Sequence, residues 1–239
     1  MVAHLGQASG EYAELALAQV DRLHRLPPSI DAPTAVAAIG TGRTAAGILR
    51  LAPPGATDVA LVTSAAGGLG VLLLQAARQA GARAIGLAGG PAKLAVATSH
   101  GAELALDYRD PGWPAQLVDQ QPTVVYDGVG GAAGQAAYDL LAPSGRLVRF
   151  GWSSGVQNAY ADPDRVVIDV LGPAMLSVPG GIAALEAEAL EMAENGRRVP
   201  YVGATFPLAQ AAAAHRALER RETSGKVVLL TGPDTGAGD

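Results

Sequence analysis

The sequence predicts an α/β protein built on a parallel sheet doubly wound with helices. Three observations point there. Short apolar, β-branched runs alternate with helix-period segments from residue 58 onward. A glycine-rich turn, Ala65-Ala66-Gly67-Gly68-Leu69-Gly70, joins the first such run to the first helix. Of 239 residues, 49% are hydrophobic and only 16% charged, which suits a sheet buried on both faces.

Each element follows from its pattern. "DVALVTS" reads as a buried strand. A helix over 68–80 is predicted because Leu69, Leu72, Leu73, Ala76, Ala77 and Ala80 share one stripe. Gly81 stops it. "ARAIGLA" is the next strand, and Pro91 stands where a helix can start. "ELALDY", "TVVYDGV", "GRLVRFG" and "RVVIDVLG" are further strands, with "AAGQAAYDLLA" a helix among them. Ahead of the sheet, residues 35–51 have a helical pattern. Residues 10–26, "GEYAELALAQVDRLHRL", alternate apolar and polar positions and predict one or two antiparallel strands. After the sheet come a helix around 182–194, the strand "YVGATF", the helix "PLAQAAAAHRALERR" and the strand "KVVLLT". The β-rich start has too few strands to close a barrel of its own.

Composition removes several classes of function. Net charge is −5 with no block of Lys or Arg, so no nucleic-acid or membrane-surface partner is expected. No cysteine is present, which excludes disulfides, thiolate zinc ligands and cysteine nucleophiles. His4, His24, His100 and His215 are scattered without ligand spacing, and no metal site is expected. No apolar run is long enough to span a membrane. The start "MVAHLGQASGEY" lacks the pattern of a secretory leader, so the expected location is the cytoplasm. The end "GPDTGAGD" reads as a short disordered tail.

The glycine turn carries the first functional signal. It is G-x-G-x-x-G with Ala65 in the first place, between a strand and a helix. Gly67 lets backbone approach a pyrophosphate, and Gly70 lets helix pack closely on strand. With Ala66, Gly68 and Leu69 they form a dinucleotide-binding turn, whose helix end offers free N–H groups to phosphate. The next strand selects the dinucleotide. It ends in Leu87-Ala88-Gly89-Gly90, without the acid that usually holds an unphosphorylated ribose. That admits the 2′-phosphate of NADPH. Lys93, in the first turn of the following helix, opposes the helix dipole unless an anion lies near; a solvated lysine is the plain alternative. Tyr108 could reach the same phosphate or be a partly buried strand-end tyrosine.

These stretches, with "VVYDGVGG", "GRLVRFGWSSG" and "FPLAQAAAAHRALERRETSGKVVLL", run in order over nearly the whole chain. Together they resemble the zinc-free quinone oxidoreductase branch of the medium-chain dehydrogenase/reductase superfamily. The resemblance implies a Rossmann domain that binds NADPH and a partial GroES-like catalytic domain drawn from both chain ends. It divides the chain into 1–40, a catalytic-domain remnant; 41–172, the NADPH-binding domain; and 173–239, a return to the catalytic domain. It implies direct, metal-free hydride transfer to a quinone or activated alkene. Lys93 and Tyr108 then correspond to residues near the 2′-phosphate, and Thr44 to a position below the nicotinamide. Val129, Phe150, Gly151, Trp152, Ser153 and Lys226 correspond to cofactor-lining positions. A homodimer through the 165–171 strand is also implied.

The departure is at the front, where the family carries about 100 further residues of β-barrel. Whether this is a natural minimal form or a start displaced from its true place is open. Reduced activity for the chain as given is the expectation. No Ser-His-Asp or paired-carboxylate set is visible, and no catalytic side chain is assigned. A non-catalytic NADPH-binding module and a different Rossmann enzyme, such as a methyltransferase, are the alternatives.

Overall fold

The computed structural model of the chain describes residues 1–6 and 11–232. The expected tail therefore falls, apart from Gly232, outside the described residues. Strands β1 (Val2–Ala3) and β2 (Leu23–His24) form a small antiparallel pair. Helix α1 (Ala32–Ala37) starts at Asp31, whose carboxylate accepts from Thr34 N at 2.8 Å, a side-chain cap for an orphan N–H. A π turn, Ala38–Gly42, leads into α2 (Arg43–Leu51).

Then come β3 (Val59–Val62), α3 (Gly68–Gln79), β4 (Arg83–Ala88), α4 (Pro91–Ser99) and β5 (Leu104–Asp107). They are followed by a 3₁₀ segment Pro114–Gln120, β6 (Val124–Asp127), α5 (Gly131–Asp139), β7 (Arg146–Arg149) and β8 (Val166–Asp169). The chain ends with α6 (Pro173–Leu176), α7 (Gly181–Glu194), β9 (Val202–Pro207), α8 (Ala211–Glu219) and β10 (Lys226–Leu230).

Six strands form one parallel sheet in the order β5-β4-β3-β6-β7-β8. Strand alternation divides the core between its two faces. Ala60, Val62, Tyr126 and Val148 pack with Ile48, Leu73, Leu74 and Ala97 of α2, α3 and α4. Leu61, Ile85, Val125 and Leu147 pack with Trp113, Leu117, Ala137 and Tyr138 on the other side. Strand order reverses between β3 and β6, and a crevice opens there at the carboxyl ends of the strands, the usual ligand position in such sheets.

The expectation of one or two antiparallel strands over residues 10–26 is met by one strand and corrected in its length. Among the described residues of that stretch, 11–26, only Leu23–His24 is strand. Leu15 and Leu17 are 89% and 100% exposed, because the described neighbour strand, Val2–Ala3, is just two residues long. The C-terminal strands β9 and β10 pair in parallel, joined through α8. No described helix is long and apolar enough to cross a membrane.

Candidate functional site

A cleft of about 700 Å³ lies at the strand-order reversal. Its floor is the glycine turn. Gly70 faces the carbonyl of Ser64 so closely that a Cβ would collide with it, which allows α3 to seat against β3. Gly67 and Gly68 present backbone to the cleft, with Thr41 packed over Gly68. Gly225 closes the turn from the far end of the chain: its N–H donates to Ala66 O at 2.7 Å, and it bridges to Gly67.

Asp127 holds the wall beside this floor. Its side chain is fully buried at the end of β6. It accepts from Thr63 Oγ1 at 2.7 Å, Val129 N at 2.9 Å and Gly130 N at 3.2 Å. Thr63 Oγ1 in turn accepts from Gly128 N at 3.1 Å. Residues 153 and 154 then donate from their backbone to Gly128 O and Val129 O. Two loops are thereby locked together along the cleft.

The other end is cationic. Lys93 Nζ donates to Arg221 O at 2.6 Å, and Arg221 Nη2 donates to Ser153 O at 3.0 Å. Burial, followed by repulsion from Arg221 and Arg109, holds the Lys93 ammonium below the usual lysine range. Arg221 reaches this place from a left-handed backbone, φ +56°, a conformation that costs a non-glycine residue energy. Lys93 and Arg221 give this end of the cleft positive charge, with no acid on the β4 strand end and one acid, Glu219, on the wall.

Twelve of the sixteen expected cofactor-binding residues line this one cleft: Ala66, Gly67, Gly68, Leu69, Ala88, Gly89, Lys93, Tyr108, Val129, Phe150, Ser153 and Lys226. Gly70 stands beneath it in its packing role. Gly151 lies behind Gly128, and Trp152 faces outward, 46% exposed. Thr44 is off the wall; its hydroxyl donates to Gly40 O at 3.3 Å. Thr41, one turn earlier, lines the cleft instead. Arg221, Thr63 and Gly225 were not anticipated. The glycine in "TSGKVV" is the one signal that could have marked Gly225.

Residues 100–229 match the family model described as zinc-binding dehydrogenase. The quinone oxidoreductase of Pseudomonas aeruginosa is 31% identical over 240 residues, covering 96% of this chain and 74% of that protein. A 2-haloacrylate reductase from a Burkholderia species is 30% identical and covers 92% of this chain and 71% of that one. A mycobacterial protein solved as its NADPH complex superposes with a TM-score of 0.76 at 30% identity, covering 88% of this chain and 68% of that one.

Proposed function

The chain belongs to the zinc-binding dehydrogenase family, in the quinone oxidoreductase-type branch of the medium-chain dehydrogenases/reductases, and on that premise we propose that it is an NADPH-dependent reductase of quinones or activated alkenes. One observation carries the cofactor assignment. Lys93, Arg221 and Tyr108 gather beside a strand end, Ala88-Gly89, that bears no carboxylate of its own. That chemistry suits a ribose 2′-phosphate and disfavours a bare 2′-hydroxyl.

The residues fit a dinucleotide along the whole cleft. The glycine turn and the start of α3 would take the pyrophosphate through backbone N–H groups. Tyr108 and Lys93 would take the adenosine end. Val129 and Phe150 would give apolar contact to the nicotinamide and keep water from it. When bound, the nicotinamide supplies the hydride, and the protein supplies orientation and electrostatics. The relative named as a 2-haloacrylate reductase supports activated alkenes as part of the substrate class.

Zinc does not fit the residues present. The chain has no cysteine, and the described residues include no group of three or more His, Asp or Glu able to hold a metal ion. The proposed transfer is therefore metal-free. A homodimer through β8 belongs to the same proposal. The division into 1–40, 41–172 and 173–239 is kept as a division of the sequence, with the nucleotide site drawing on the second and third parts.

The test is calorimetric titration with NADPH and NADH, then NADPH oxidation with a simple benzoquinone. Tighter NADPH binding is expected, and equal affinities would refute the assignment. For these 239 residues alone, turnover should be weak, because the acceptor must be held about 3–3.5 Å from the nicotinamide by walls on both sides. Robust saturable turnover would refute that part.

A further inference from the structure

We propose that Asp107 and Arg109 together set the discrimination between NADPH and NADH, Arg109 cancelling a carboxylate that would otherwise repel the 2′-phosphate. The proposal rests on the NADPH reading and identifies its selectivity device. The sequence shows no acid at the end of β4. In the folded sheet, however, Asp107 at the end of β5 stands in register opposite Ala88. The acid absent from one strand is supplied by its neighbour.

That carboxylate is engaged from three directions. Its oxygens accept from Gly90 N at 3.1 Å and Arg109 N at 3.0 Å. The Arg109 guanidinium grips both oxygens, Nε to Oδ1 at 3.0 Å and Nη2 to Oδ2 at 2.7 Å. Hydrogen bonds from Arg109 hold the Asp107 carboxyl at about 2, so the group is charged at neutral pH. The guanidinium sits against Gly90, where a Cβ would come within 2.6 Å of Nη2. A Cβ on Gly89 would come within 2.6 Å of the Tyr108 hydroxyl. The turn 89–90 is thus pressed between Tyr108, which lines the cleft, and the ion pair, which stands just behind it.

The arithmetic of charge favours masking over direct contact. Lys93 and Arg221 bring two positive charges to this end of the cleft wall, which also carries Lys226 and one acid, Glu219. With the pair intact, Asp107 adds nothing net. With Arg109 gone, part of that positive charge is offset by an unmasked carboxylate one strand away from the place where NAD-binding sheets keep theirs. Arg109 is a specificity-setting residue that acts through Asp107.

The experiment measures NADPH and NADH dissociation constants by calorimetry on the full chain and on Arg109→Gln, Asp107→Asn and the double variant. Arg109→Gln should weaken NADPH by about five- to tenfold, the effect of a partly screened charge, with NADH unchanged or tighter. Asp107→Asn keeps an oxygen for Gly90 N and should bind NADPH at least as well as the parent. The double variant should return to within about twofold of the parent, because nothing remains to mask. If the double variant is as weak as Arg109→Gln alone, Arg109 touches the phosphate directly and the proposal fails. If Arg109→Gln weakens both cofactors alike, its role is merely structural and the proposal also fails. A parent chain that does not prefer NADPH overturns the cofactor reading itself, a result distinct from either.

Discussion

Removing the buried carboxylate of Asp127 should destabilise the fold and loosen the cleft together. Asp127 has no cationic side chain bonded to it; its partners are the Thr63 hydroxyl and two backbone N–H groups. A buried charge without a counter-ion is usually a burden, so on that ground Asp127→Asn would stabilise. The hydrogen-bond count argues the reverse, since all three partners donate and the site lies at the N-terminus of α5, where the helix dipole favours an anion. An asparagine amide would turn donors toward Gly130 N, costing about 1–3 kcal/mol. Asp127→Ala leaves the N–H groups of Val129 and Gly130 without an acceptor and opens a small cavity, about 3–5 kcal/mol in all. Gly128 and Val129 line the cleft, so NADPH affinity should fall at least about tenfold in the alanine variant. Urea unfolding and calorimetry on both variants measure the two effects. A stabilised Asp127→Asn, or an Asp127→Ala that loses less than about 1 kcal/mol, would refute the reasoning.

Ala88→Asp should weaken NADPH by about 1–3 kcal/mol through repulsion, leaving NADH less affected; an unchanged NADPH to NADH ratio would count against it. Burial works against the charge on Asp58, but the bonds from Arg146, Thr123 and Gly55 outweigh it and hold its carboxyl below the ordinary range. A depressed folded-state pKa gives stability that is present above about pH 4 and lost as pH falls through the folded value. The stability gap between the parent and Asp58→Asn, read by urea unfolding, should therefore shrink from pH 7 to pH 3, and a constant gap would contradict this. Val166 is 55% exposed on the edge strand β8, an edge that calls for a cover; light scattering at micromolar concentration should give a dimer mass, and a monomer would count against the pairing.

The parallel sheet was legible because its strands are short apolar runs, each set off by Gly, Pro or charged residues. The glycine turn was legible because its spacing reflects local steric need at Gly67 and Gly70. Residues 10–26 overstated the length of their one antiparallel strand because alternation marks a strand only where a neighbour accepts its hydrogen bonds, and β1 offers two residues. Thr41, inside the π turn Ala38–Gly42, lines the cleft where Thr44 does not, a placement no side-chain pattern announces. Asp107 escaped notice because its place opposite Ala88 is a matter of strand register. Arg221 escaped because its approach depends on a backbone twist more than 120 residues beyond Lys93.

The bond from Gly225 to Ala66 has a consequence for how this molecule can be cut and recombined. The proposed nucleotide cleft is assembled from residues as far apart as Thr41 and Val227. A fragment ending near residue 172 would keep the sheet and the glycine turn, yet it would forfeit Arg221, Gly225 and Lys226, leaving the cofactor's place open along one flank. On the proposed assignment, the nucleotide-binding portion should therefore not behave as a cassette that can be excised or grafted at that boundary. A transplant that preserves binding must carry the strand at 226–230 with it, together with β9, its parallel partner.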